Sequence, residues 1–82
     1  MGITVYSKPS CVQCTATYRA LDRAGLTYTV VDLAADEQAL RYVQTLGHQT
    51  APVVEAYGTS WAGFQPDAIR ELAVQILGSP RT

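Results

Sequence analysis

Both cysteines of this chain fall within four residues, Cys11-Val12-Gln13-Cys14, between a short apolar strand pattern and a helical one. A bridge across two intervening residues closes only a small loop. It removes little entropy from the unfolded chain, and disulfide stabilisation grows with loop length. Such a pair suits opening and closing rather than bracing. The chain must therefore hold itself together by its core, and 82 residues, 48% of them apolar, suffice for one small domain over 1–82.

Several classes fall away on composition. Charged residues are 16% of the chain, too few for a disordered tail. The net charge is −1 and the six Lys and Arg are scattered, whereas nucleic-acid binding needs a clustered basic face. No apolar run approaches the ~18–20 residues of a membrane span. Met1 to Tyr6 enters a strand with no basic region and no apolar signal segment, so export is not expected. Tyr6 stands where a myristoylation motif wants Ser or Thr. The expected compartment is the cytoplasm, where a cysteine pair is more often catalytic or metal-binding than structural.

Along the chain, Ile3–Tyr6 alternates as a strand, and Ser7-Lys8-Pro9-Ser10 reads as a loop. A helix is expected from about Cys11 to Ala24, with Tyr18 and Leu21 in the core and Gly25 as its stop. Thr27–Val31 is β-branched and aromatic, a second strand. Asp36 can cap a second helix with Leu40, Val43 and Leu46 inward and Gly47 after it. Residues 52–56 and 59–61 read as a hairpin about Tyr57-Gly58. Pro66 and Asp67 suit the first turn of a last helix. Ile69, Leu72, Ala73 and Ile76 form its stripe, and Gly78 and Pro80 end it. The order β-α-β-α-β-β-α starts with a right-handed crossover between parallel strands. It predicts an α/β domain: a four-stranded mixed sheet with three helices on its two faces, the minimal thioredoxin- or glutaredoxin-like fold. A Cys-x-x-Cys beside a strand–helix–strand pattern reads as a redox site of that kind.

The chemistry follows from placement. Cys11 at a helix start meets unpaired N–H groups and the positive end of the dipole, which favour a thiolate. Such positions lower thiol pKa from ~8.5 to ~3.5–7.5. Cys14, one turn later, is expected to be buried and protonated until needed. Cys11 is thus the attacking thiol and Cys14 the resolving one, with an 11–14 disulfide as product. Lys8 either stabilises the thiolate or meets an acidic partner group, or it is a solvated loop lysine. Val12 and Gln13 are expected to be exposed, where they can tune the pair and touch partners. Pro52 opens a strand after a helix and loop, where a thioredoxin-like fold places a cis-proline loop opposite the cysteines. The free backbone of Ala51 there can pair with an extended partner segment. An ordinary trans proline at a strand start is the plainer alternative. Trp61 and Phe64 flank Gly63 at a strand-to-helix turn and read as core or as an apolar platform, with composition favouring core.

With these motifs in view, the chain resembles the NrdH-redoxins, small glutaredoxin-like proteins that behave like thioredoxins. The resemblance spans nearly the whole chain. It rests on Tyr6-Ser7-Lys8-Pro9-Ser10-Cys11-Val12-Gln13-Cys14, on Ala51-Pro52-Val53, and on Trp61-Ala62-Gly63-Phe64-Gln65-Pro66-Asp67. It implies an electron donor to class Ib ribonucleotide reductase, docking on the large subunit. Recharging would come from thioredoxin reductase and NADPH rather than glutathione. It also implies a monomer that binds no cofactor and works through the Cys11–Cys14 disulfide. Ala51-Pro52 would dock the partner, and Trp61 and Phe64 would belong to the adjoining aromatic surface. The family pattern usually has Ser and Arg where this chain has Ala62 and Gln65, and Gln65 donates without a charge or a bidentate fork.

Two other readings are weighed against it. A glutathione-dependent glutaredoxin typically carries Cys-Pro-Tyr-Cys and an open Gly-Gly turn, which Val12-Gln13 and the bulky Trp61 and Phe64 replace. A metal or iron–sulfur binder is the other: structural zinc needs about four N or S ligands, and a dimer could share a cluster through Cys11. Two cysteines and His48, itself expected at the surface, fall short in a monomer.

Overall fold

The structure, a computed structural model, describes residues 2–78. Met1, and the Pro80 expected to follow the last helix, lie outside the described residues. The elements are β1 (Ile3–Ser7), α1 (Val12–Arg23), β2 (Thr29–Asp32), α2 (Glu37–Thr45), β3 (Val53–Ala56), β4 (Thr59–Ala62) and α3 (Pro66–Leu77). The strands form one mixed sheet in the order β2-β1-β3-β4. β1 runs parallel to β2 and antiparallel to β3, which pairs antiparallel with β4. This is the architecture the order of sequence patterns predicts.

Strand periodicity divides the core in two. Ile3 and Val5 of β1 and Val54 and Ala56 of β3 face α1 and α3, where Leu21, Ile69 and Leu72 meet them. Tyr6 and Val53 point the other way, onto Leu33 and Val43 of the α2 side. β1 and β3 are therefore buried on both faces, which is why Val53-Val54 reads as a continuous apolar run.

Caps set the helix ends. Asp36 accepts from the Ala39 N–H at 3.0 Å and starts α2. Gly25 and Gly47 take positive φ just past α1 and α2. Tyr57 and Gly58 both adopt left-handed φ (51° and 81°), the geometry that tight hairpins require.

Three expectations need correction. β2 starts at Thr29 rather than Thr27, because Tyr28 is held by α1 instead: its ring stacks on Tyr18 at 5.8 Å and its hydroxyl donates to Asp22 at 3.0 Å. Leu46 and Ile76 continue the apolar stripes of α2 and α3 but are exposed. Leu46 lies past the end of α2, and Ile76 stands in the last turn of α3, beyond its buried Ile69 and Leu72. The periodicity carries on beyond the surface it packs against.

Candidate active site

The cysteine pair stands where the loop after β1 becomes α1. Ser10 adopts φ +57°, and Cys11 follows in extended conformation as the N-cap. Its Sγ accepts from the Cys14 N–H at 3.1 Å, so the sulfur does the work usually given to a Ser or Asp oxygen. The Cys11 carbonyl accepts from the Thr15 N–H at 3.2 Å, closing the first helical turn. No acidic residue lies in that first turn. A thiolate at Cys11 would meet a donating N–H and the positive helix end with no nearby helix carboxylate opposing it. Cys11 and Cys14 are joined as a disulfide, their Cα atoms 5.2 Å apart. The two cysteines are not equivalent: Cys14 is 2% exposed, whereas Cys11 is half-buried.

The other predicted residues take different places in the fold. The Ala51–Pro52 peptide bond is cis; Pro52 is buried and Ala51 half-buried. The Pro52 carbonyl accepts from the Gly63 N–H at 2.7 Å, which ties the proline loop to the turn between β4 and α3. Val12 is 85% exposed and Phe64 38%. Lys8 is exposed on the β1–α1 loop and lines a groove with Leu40, Val43, His48 and Thr50. Trp61 pairs in register with Val54 and packs half-buried against the larger core, beside Ala68 and Leu72 of α3. Its indole follows the core reading, and of the two aromatics Phe64 is the exposed one.

Some contributors were not legible beforehand. Gln13 is exposed as expected, but its Oε1 accepts from the Phe64 N–H at 3.0 Å. Gln65 donates to the Ala62 carbonyl at 2.9 Å and closes its own turn. His48 was expected at the surface. It is half-buried, and its Nε2 lies 2.9 Å from Ser60 Oγ, because the left-handed Gly47 folds the chain back over β4. Ser10 gave a weak signal, since a serine after proline often lies in a turn.

Behind the site, on the α2 side, Glu55 collects two phenols. Tyr6 donates to its Oε1 at 3.2 Å and Tyr42 donates to its Oε2. Burial first, then the Glu55 carboxylate, push the Tyr6 phenol up from 10.0 to about 12. The hydrogen bond to Glu55 is the main cause of the raised Tyr42 pKa.

Among the described residues no group of three or more His, Cys, Asp and Glu side chains is placed to hold a metal ion, and no helix is long and apolar enough to cross a membrane.

Comparison with known proteins agrees with this geometry. The glutaredoxin family model matches residues 3–61. The glutaredoxin-like protein NrdH of Escherichia coli K12 is 38% identical over 72 residues, covering 88% of this chain and 89% of its own. The gene 56 protein of Mycobacterium phage D29 is 39% identical over 72 residues, covering 85% and 80%. Among solved structures, NrdH-redoxin from Escherichia coli, a glutaredoxin-like protein with a thioredoxin-like activity profile, superposes with a TM-score of 0.84 at 38% identity, covering 88% of this chain and 95% of that one.

Proposed function

The chain belongs to the glutaredoxin family, among its NrdH-type members, and from that premise we propose that it carries electrons from thioredoxin reductase to class Ib ribonucleotide reductase. Thiol–disulfide exchange by the Cys11–Cys14 pair is the activity of the family; the two partners are our reading. The observation that supports the reading is the inequality of the two cysteines, one half-buried at a helix N-terminus and one buried in the helix.

In the reducing direction, the Cys11 thiolate attacks one sulfur of a disulfide on the acceptor's large subunit. That bond breaks, the far sulfur leaves as a thiolate and takes up a proton, and Cys11 is held in a mixed disulfide. Cys14 then loses its proton and attacks Cys11 Sγ. The second acceptor thiol leaves, and the Cys11–Cys14 disulfide remains. Two electrons have passed to the acceptor. Thioredoxin reductase returns them from NADPH. The exposed Val12 and Phe64 and the half-buried Ala51 give the acceptor an apolar landing place beside Cys11. Lys8 offers a positive charge at its edge. In this reading the chain works as one domain over 1–82, as a monomer in the reducing cytoplasm.

Recycling by thioredoxin reductase rather than glutathione is supported by the turn after β4. Its Gly63 N–H is already engaged by the Pro52 carbonyl, and the bulky, exposed Phe64 follows directly. The similar NrdH-redoxin has a thioredoxin-like activity profile.

The test is NADPH consumption by the oxidised protein in two mixtures, one with thioredoxin reductase and one with glutathione and glutathione reductase. Rapid loss in the first alone is the expected outcome. Loss in the second alone would overturn the recycling route and make the protein a glutathione-dependent glutaredoxin. For the mechanism, Cys14→Ser should trap the mixed disulfide with the acceptor and Cys11→Ser should abolish transfer.

A further inference from the structure

Gln13 lies between the two cysteines, a position that leaves it free to meet partners. Its side chain is engaged by the β4–α3 turn instead. Oε1 accepts from the Phe64 N–H at 3.0 Å, across 51 positions of sequence. The same oxygen lies 3.3 Å from where a Cβ on Gly63 would sit, and Gly63 has φ +84°. A side chain at residue 63 would therefore be strained and would press on the Gln13 amide. Gly63 in turn donates to the Pro52 carbonyl at 2.7 Å. Two hydrogen bonds thus tie three segments in series: the first turn of α1, the β4–α3 turn, and the cis-proline loop.

The two ends of this strut differ in stiffness. Gln13 belongs to α1, its carbonyl accepts from the Thr17 hydroxyl at 2.9 Å, and Cys14, Thr17 and Leu21 anchor that helix in the core. The turn is looser. Phe64 and Gln65 are exposed, and the Gln65 side chain makes no capping bond to α3. The helix therefore holds the turn, and the turn does not hold the thiols.

We propose that Gln13 is a positioning residue for partner docking: its amide oxygen holds Phe64, and through Gly63 the Pro52 loop, in register with the cysteine pair. Val12, Ala51 and Phe64 then present one surface, ordered before the partner arrives, so less ordering entropy opposes docking. The inference rests on thiol–disulfide exchange at Cys11 and on neither proposed partner.

The experiment uses dithiothreitol as reductant and insulin disulfides as acceptor, so its failure is separable from failure of the partner assignment. Gln13→Met keeps the length and removes the acceptor; Gln13→Glu keeps an oxygen at the same reach. Loss of one hydrogen bond of ordinary net strength predicts a KM raised about three- to tenfold in Gln13→Met. kcat and the reduction potential of the pair should hold, and the Phe64 amide should exchange faster with solvent. Gln13→Glu should restore both KM and exchange. An unchanged KM in Gln13→Met would overturn the proposal. So would a raised KM with unchanged Phe64 exchange, which would mean Gln13 touches the acceptor directly. A shift in potential or kcat alone would place its effect on the thiols and also defeat it.

Discussion

Among the described residues, the core between the sheet and helices α1 and α3 holds eight buried apolar residues, whereas that between the sheet and α2 holds four, so the second side must be secured by other means as well. Those means are polar. Tyr6 and Tyr42 converge on Glu55, Ser60 meets His48, and Asp36 caps α2. The division matters for chemistry. The helix that carries the cysteines is seated on the larger apolar face, where close packing leaves little freedom. The segment leading to the cis-proline loop emerges from the smaller, hydrogen-bonded side. The cysteine pair is thus held by packing, and the approach to the cis-proline loop is held by directional bonds.

The largest expected effect tests the packing half of that contrast with one chemical change made twice. Leu21→Ala and Leu33→Ala both remove a buried leucine, one from each core. Such truncations cost about 2–5 kcal/mol, more where the surroundings cannot collapse. Leu21, with no exposure and neighbours from sheet and helices, should fall near the top of that range. Leu33, in the smaller cluster, should fall near the bottom. Denaturant midpoints at constant slope measure both. Equal costs would mean that the two sides are equally well packed and that the polar contacts are not compensating for anything.

A smaller effect tests the polar half. The Tyr6 phenol is raised from 10.0 to about 12, so the folded chain holds that proton more tightly than the unfolded one. The associated stability is fully present below pH 10 and is lost as pH rises from 10 to about 12. Burial is the first cause and Glu55 the next. In Glu55→Gln the phenol should therefore titrate lower than in the parent yet still above its ordinary value. The alkaline absorbance change of tyrosinate follows this directly. A titration curve that does not move would remove Glu55 from the account of the α2 side.

The order of elements and the cysteine site were legible because each rests on short-range rules. Asp36, Gly25, Gly47 and Pro66 mark helix ends by local chemistry, and the spacing of Cys11 and Cys14 needs only one helical turn. What escaped depends on contacts between distant positions. Nothing near Gln13 announces Phe64, 51 residues on. Glu55 reads as the polar member of a strand, and its two phenols come from β1 and α2. His48 reads as a surface residue until the sheet brings Ser60 under it. Leu46 and Ile76 show the converse limit, since periodicity marks which side of a helix is apolar but not where the neighbouring surface ends.

The smallest expected effect concerns the one place where the apolar side departs from its own rule. Trp61 Nε1 is buried with no hydrogen-bond partner among the described residues, although the ring around it packs against the larger core. An unpaired buried donor costs about 1–3 kcal/mol, which offsets part of what the indole contributes by packing. Trp61→Phe removes that donor along with some contact area, and the two changes oppose each other. The variant should lie within about 1 kcal/mol of the parent, well short of the ~3–5 kcal/mol typical when a large aromatic is truncated to alanine. The comparison is made by unfolding Trp61→Phe beside Trp61→Ala. If the phenylalanine variant loses nearly as much as the alanine one, the indole nitrogen is satisfied in solution. The two sides of the sheet would then differ in how much they bury, and not in how they treat their polar atoms.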